Sequence, residues 1–178
     1  MADLRGVGIL VTRPEQQAAP LCRLLEACGA VAFRLPVMDI RAVGDLNEIR
    51  GRLAAHERID LAIFTSANAV RFGAALLEGR PSVPLAAIGS ATARALTATG
   101  RQVTVTPVDG SDSESLLLHA ALAHPQDQEV LIVKGVHGRD LLQTQLTLRG
   151  ARVVVAEVYR RERAEHGAVE LADRKSVV

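Results

Sequence analysis

Short, continuous runs of Val, Ile and Leu recur along this chain, and a stretch with helical spacing follows most of them. The runs are Val7–Val11, Val31–Leu35 continuing to Ile40, Leu61–Phe64, Leu85–Ile88, Val103–Val105, Val130–Val133 and Val153–Val158. A strand with one wet face would alternate apolar and polar residues. Runs that are apolar throughout predict parallel strands covered on both faces. Helices are predicted over Glu15–Ala27, Leu46–His56, Asn68–Leu77, Ala91–Ala98, Ser113–Ala123 and Arg139–Leu148. In the first, Leu21, Leu24 and Leu25 fall at i, i+3 and i+4, and Gly29 stands where a glycine ends a helix. Gly79, Gly100 and Gly150 follow three of the others. Strand and helix in alternation predict an α/β fold with a doubly wound parallel sheet.

The junctions between strand and helix are small or polar: Thr12-Arg13-Pro14-Glu15, Thr65-Ser66-Ala67-Asn68, Gly89-Ser90-Ala91-Thr92, Ser111-Asp112-Ser113-Glu114 and Gly135-Val136-His137-Gly138-Arg139. Each puts the first-turn N–H groups of a helix, backed by its dipole, at the carboxyl end of a strand. Such places attract anions and gather along one sheet edge. Candidate ligand residues are therefore Arg13, Thr65, Ser66, Ala67, Asn68, Gly89, Ser90, Thr92, Ser113, Lys134 and Arg139. Each serine has a plainer reading too. Ser66, Ser90 and Ser111 fit N-caps, and Thr12-x-x-Glu15 and Ser111-x-x-Glu114 fit capping boxes. The ligand reading comes from the shared edge and from no single residue.

Two segments are too long for short buried strands. Phe33–Ile40 is interrupted by Pro36, which a central strand does not tolerate. Val153–Arg161 turns polar near its end. They read as a pair linking two lobes, or as two ordinary strands with untidy ends. After a charged stretch beyond Arg160 comes a short helical pattern through Asp173, and the chain finishes on Val177-Val178 like a strand begun and cut off.

Composition narrows the chemistry. Hydrophobic residues make up 48% of the 178, enough for a core of one domain or two small ones. Aromatic residues are 2%, with no Trp and one Tyr, and the net charge is +1. Neither base stacking nor a basic footprint for nucleic acid is present. Cys22 and Cys28 match neither a zinc spacing nor a redox pair and read as reduced thiols. No signal segment or membrane span is legible, which reads as a soluble, cytoplasmic chain. Gly6-Val7-Gly8 precedes its strand, and GxxxxGK[ST] and GxSxG are missing, as are paired histidines of metal spacing, so no metal and no cofactor are indicated. Tyr159 reads, on residue type alone, as an amphipathic residue at the edge of the core.

Leu10-Val11-Thr12-Arg13-Pro14, Phe64-Thr65-Ser66-Ala67-Asn68-Ala69-Val70, Ala87-Ile88-Gly89-Ser90-Ala91-Thr92-Ala93, Ser113-Glu114-Ser115-Leu116 and Val155-Ala156-Glu157-Val158-Tyr159-Arg160-Arg161, in that order and spacing, resemble the uroporphyrinogen-III synthases. The resemblance implies two doubly wound parallel-sheet lobes joined by a two-stranded ladder, with an active site in the cleft between them. Residues 1–35 plus 159–178 would form the terminal lobe, incomplete because the family continues well past this C-terminus. Residues 36–158 would form the middle lobe. The resemblance further implies a cofactor-free lyase of porphyrin, tetrapyrrole and heme biosynthesis, monomeric when complete. Its substrate would be hydroxymethylbilane, a linear octacarboxylate tetrapyrrole, cyclised to uroporphyrinogen III with inversion of ring D. Tyr159 matches the family tyrosine that assists departure of hydroxide. Two alternatives stand beside it: a non-catalytic anion- or tetrapyrrole-binding module, and a flavodoxin-like enzyme on a phosphorylated substrate.

Overall fold

The structure, a computed structural model, describes residues 3–165. The helical pattern through Asp173 and the terminal Val177-Val178 expected from the sequence lie outside the described residues. In chain order the elements are β1 (Gly8–Val11), α1 (Glu15–Ala27), β2 (Val31–Arg34), β3 (Met38–Ala42), α2 (Leu46–Ala54), β4 (Leu61–Phe64), α3 (Ala67–Gly73), β5 (Leu85–Ala87), α4 (Ser90–Thr97), α5 (Ser113–Leu117), β6 (Glu129–Gly135), α6 (Leu141–Leu148) and β7 (Arg152–Arg163). The chain divides into two compact units, Met1–Arg41 with Arg161–Val178, and Ala42–Arg160. Among the described residues no helix is long and apolar enough to cross a membrane.

In the first unit β1 and β2 pair in parallel, Gly8 opposite Val31 through Val11 opposite Arg34. Helix α1 is the crossover between them, and its Ala18 and Cys22 bury against Val11, with Leu21, Leu25 and Ala32 around them. Gly29 ends the turn at φ +88°, where a side chain would both strain the backbone and strike Arg5. The capping box predicted at Thr12 does not form: Pro14 is the N-cap, and Glu15 pairs instead with Arg34 at 3.2 Å.

The second unit carries the parallel strands β7, β6, β4 and β5, neighbours in that order. From β4 the chain steps outward to β5 and then returns to β6 on the other side, as in a doubly wound sheet. Successive residues of a strand face opposite sides, so Leu61 and Ile63 of β4 share a face with Val130 and Ile132 of β6. That face buries Leu116 and Leu122 from one cover segment and Leu142 and Leu146 from α6. Each such leucine contributes on the order of 1.5–3 kcal/mol. On α3, Gly73 lets the helix lie close: a Cβ there would stand 2.5 Å from Val133 and 3.2 Å from Val158.

The two over-long segments resolve differently from a tidy pair of strands. Pro36 separates β2 from β3, and β3 lies beside the twelve-residue β7. The Val43 N–H donates to Val158 O and the Ala164 N–H to Val37 O, so the two segments run antiparallel.

Several predicted elements are shorter in the structure. Val103–Val105 is reduced to one bridge between Ala86 and Val105, because the N–H groups of Thr104 and Val105 both go to Leu85 O and no ladder propagates. The helix expected over Ser113–Ala123 stops at Leu117. His119 is extended, and its Nδ1 accepts the Ala121 N–H to start a short 3-10 turn over Ala120–Leu122. Arg149 donates to the carbonyls of Leu117 and Leu122 that the break leaves open. Likewise Asn68–Leu77 becomes α3 followed by a 3-10 turn over Ala74–Leu77.

Candidate active site

Parallel pairing brings the carboxyl ends of β4, β5, β6 and β7 to one edge of the second unit. The sequence order reverses between β4 and β6, and ligands of open α/β sheets bind where that happens. At this point the Thr65 N–H and hydroxyl both donate to Val133 O, at 3.1 and 3.3 Å, tying the end of β4 to β6. Ser66 is the N-cap of α3: its Oγ accepts the Ala69 N–H at 2.9 Å. The same Oγ lies 3.1 Å from the hydroxyl of Tyr159. Ala67, exposed, and Asn68, half-buried, form the first turn that follows.

Tyr159 is only 4% exposed. Its ring stacks on Phe72 of α3 with centroids 6.0 Å apart. Gly135 also closes on it, where a Cβ would stand 2.6 Å from the ring. This approach is made by an irregularity in the β6–β7 register between Lys134 and Gly135, after which the Val136 N–H donates to Tyr159 O at 2.8 Å. Irregularities of this kind re-aim a side chain at a strand end.

The remaining predicted residues have distinct surroundings. Lys134, 5% exposed, turns inward, and its Nζ donates to Gly138 O at 2.9 Å and to Asp140 Oδ1 at 2.6 Å. This clasp and the positive φ of His137 delay α6, which begins at Leu141 and not at Arg139. Arg139 is exposed and paired with Glu114 at 2.7 Å. Ser113 is buried at the start of α5, behind the actual N-cap, Asp112. The box expected at Ser111 therefore does not form, since the Asp112 carboxylate takes the Ser115 N–H at 2.8 Å. Hydrogen bonding from the Ser115 side chain, then from its N–H, holds the Asp112 carboxyl below the usual range, with a smaller push from Arg139. Ser90 is not a cap either: extended Gly89 holds that place with no side chain to offer, and Ser90 is the first residue of α4. Thr92 is buried on the inner side of α4. Arg13 is exposed on the β1–α1 turn of the first unit.

A cavity of about 470 Å³ opens where Gly89, Ser90 and Arg94 meet the segment carrying Thr106, Gly110 and Ser111. The segment is pressed on the helix start, since a Cβ on Gly89 would fall 2.8 Å from Ser111. Arg94 and Thr106 were not among the residues read from sequence, although Ser90 and Arg94, at i and i+4, share a helix face. A larger cavity of about 650 Å³ lies at the opposite, amino ends of the strands, around paired His56 and Glu129 and beside Arg152. Size does not choose between them; the carboxyl edge is where α/β sheets place ligands. Among the described residues no group of three or more His, Cys, Asp or Glu is arranged to hold a metal ion.

A family model described as uroporphyrinogen-III synthase HemD matches residues 19–177. The uroporphyrinogen-III synthase of Salmonella typhimurium is 37% identical over 174 residues, covering 94% of this chain and 70% of that protein. The synthase of Escherichia coli is 34% identical over a similar span, also 70% of its length. A crystal structure of a mutant uroporphyrinogen III synthase from Thermus thermophilus superposes with a TM-score of 0.66 at 22% identity, covering 89% of this chain and 64% of that one. The chain thus spans about two thirds of the proteins it resembles.

Proposed function

We infer the chemistry of this chain from one premise: it belongs to the uroporphyrinogen-III synthase family. The proposed reaction is cyclisation of hydroxymethylbilane to uroporphyrinogen III with inversion of ring D. The supporting observation is the Ser66–Tyr159 hydroxyl pair, 3.1 Å apart at the reversal point of the sheet.

The reaction begins when the C–O bond of the terminal hydroxymethyl group breaks. The pyrrole nitrogen supplies the electron pair, and the hydroxide leaves as water once it receives a proton. The resulting azafulvene is attacked by the substituted carbon of the last ring, giving a spiro intermediate that rearranges to the inverted macrocycle. Ser66 is half-buried and Tyr159 is buried, so in this reading the serine hydroxyl meets the departing hydroxyl. Tyr159 stands behind it, donates to Ser66 Oγ and replaces the proton given up; the pyrrole N–H proton released as the neutral azafulvene forms returns by the same path and restores the phenol. The Ala69 N–H donates to the same Oγ and holds it in place. Backbone amides and hydroxyls at Thr65–Asn68, Gly89 and Ser90, with Thr92, Ser113, Lys134 and Arg139, are proposed to hold or shape the site for the carboxylate arms. Holding the flexible tetrapyrrole in a folded shape is the larger part of the catalysis. Lys134 and Arg139 act in this reading chiefly by shaping loops, because both are already paired.

The test is to supply hydroxymethylbilane and separate the cyclic products. Isomer III above the spontaneous isomer I supports the reading. Isomer I alone, from folded protein that binds uroporphyrin, would instead indicate a binding module.

A further inference from the structure

The cavity at the start of α4 is lined by one cation, Arg94, and by the hydroxyls of Ser90, Thr106 and Ser111, with no carboxylate among its lining residues. Two acids stand nearby in sequence. Asp112 caps α5; Asp109, between the lining residues Val108 and Gly110, lines a smaller cavity that shares Val108 and is not among the residues of the recess. Two other cations near this edge are paired, Lys134 with Asp140 and Arg139 with Glu114. Arg94 differs: it is exposed, and among the described residues its guanidinium has no hydrogen bond and no ion pair. Glycine at 89 lets the Ser111 segment lie against the helix start, so that segment forms one wall of a half-open recess.

We propose that this recess seats one carboxylate arm of the tetrapyrrole and that Arg94 grips it as a specificity-determining residue. The proposal rests on the reaction assigned above and adds a residue to it. A planar guanidinium donates two parallel hydrogen bonds to a carboxylate, and the surrounding hydroxyls donate to the oxygens that remain. The volume of about 470 Å³ takes an acid arm and part of its pyrrole ring, leaving the rest of the chain of rings free to fold. Because Arg94 lies one helical turn from Ser90 on the same face, a carboxylate between the two lies beside the first turn of α4, where the dipole adds to the attraction.

The test titrates uroporphyrin III, a stable octacarboxylate tetrapyrrole, against the unaltered chain, Arg94→Gln and Arg94→Lys, at low and moderate salt. Loss of one charge-assisted contact weakens binding by about tenfold in Arg94→Gln and flattens the salt dependence. Arg94→Lys restores most of the affinity, because it keeps the charge. Binding by Arg94→Gln equal to that of the unaltered chain overturns the role of Arg94 and leaves the assigned reaction standing. Absence of uroporphyrin binding by the unaltered, folded chain overturns both.

Discussion

The hydroxyl of Tyr159, near the end of β7, lies 3.1 Å from Oγ of Ser66, the N-cap of α3, although 93 residues separate them. One oxygen thus serves two purposes. It closes the first turn of a helix, and it meets the hydroxyl of the ring that Gly135 and Phe72 pack against.

Ser66→Ala removes both bonds of that oxygen. Loss of the cap costs about 1 kcal/mol of stability, read as a shift in the urea midpoint. Turnover is expected to fall further than stability explains. In a double-mutant cycle with Tyr159→Phe, the second substitution adds little to the first if the two hydroxyls form one relay. Independent, multiplying losses contradict the relay.

Gly135→Ala puts a methyl where the Tyr159 ring stands, 2.6 Å from its nearest atom. The ring must move, at a cost on the order of 1–3 kcal/mol. With no Trp and a single Tyr in the chain, tyrosine fluorescence reports that ring alone. The expected result is a changed emission together with lost turnover and an intact sheet by circular dichroism. Unchanged emission and full turnover would show that Gly135 does not position the ring.

Lys134→Ala tests whether this buried cation serves the fold. Its Nζ is bonded to Gly138 O and Asp140, so its loss frees the loop ahead of α6. Stability is expected to drop by about 1–3 kcal/mol, with little change in affinity for uroporphyrin III. A large loss of affinity with unchanged stability would make Lys134 a direct ligand.

Acid stability carries a sign that follows from Asp112. Its pKa is lowered in the folded chain by the Ser115 hydrogen bonds, so its contribution is complete above the ordinary aspartate value, about 3.9. It is lost as pH falls through the lowered folded value. Helix content of the unaltered chain should therefore weaken below about pH 4 more than that of Asp112→Asn. Equal acid sensitivity in the two proteins would remove Asp112 from the effect.

Much of the sheet was legible because buried parallel strands leave unbroken apolar runs. Leu61–Phe64 has the same bounds in sequence and structure, as does Glu15–Ala27. The caps were less legible because candidate side chains crowd together. Asp112 outcompeted Ser111, and Gly89 displaced Ser90, and only the backbone geometry decides between neighbours. Val103–Val105 has a strand's composition, but the N–H groups of Thr104 and Val105 go to one carbonyl. The contact of Ser66 with Tyr159 is a product of topology, and no local pattern announces it. The inward turn of Lys134 depends on a loop conformation that its neighbours in sequence do not dictate. Arg94 reads as an ordinary surface residue until the Thr106–Ser111 segment is folded across from it.

The most direct measurement is the isomer composition formed from hydroxymethylbilane by the unaltered chain and by Tyr159→Phe, each checked for an intact fold. Uroporphyrinogen III in clear excess over isomer I with the unaltered chain, and a much slower yield of it with Tyr159→Phe, is the result expected. Isomer I alone from the unaltered folded chain, or equal rates of isomer III from both, would contradict it.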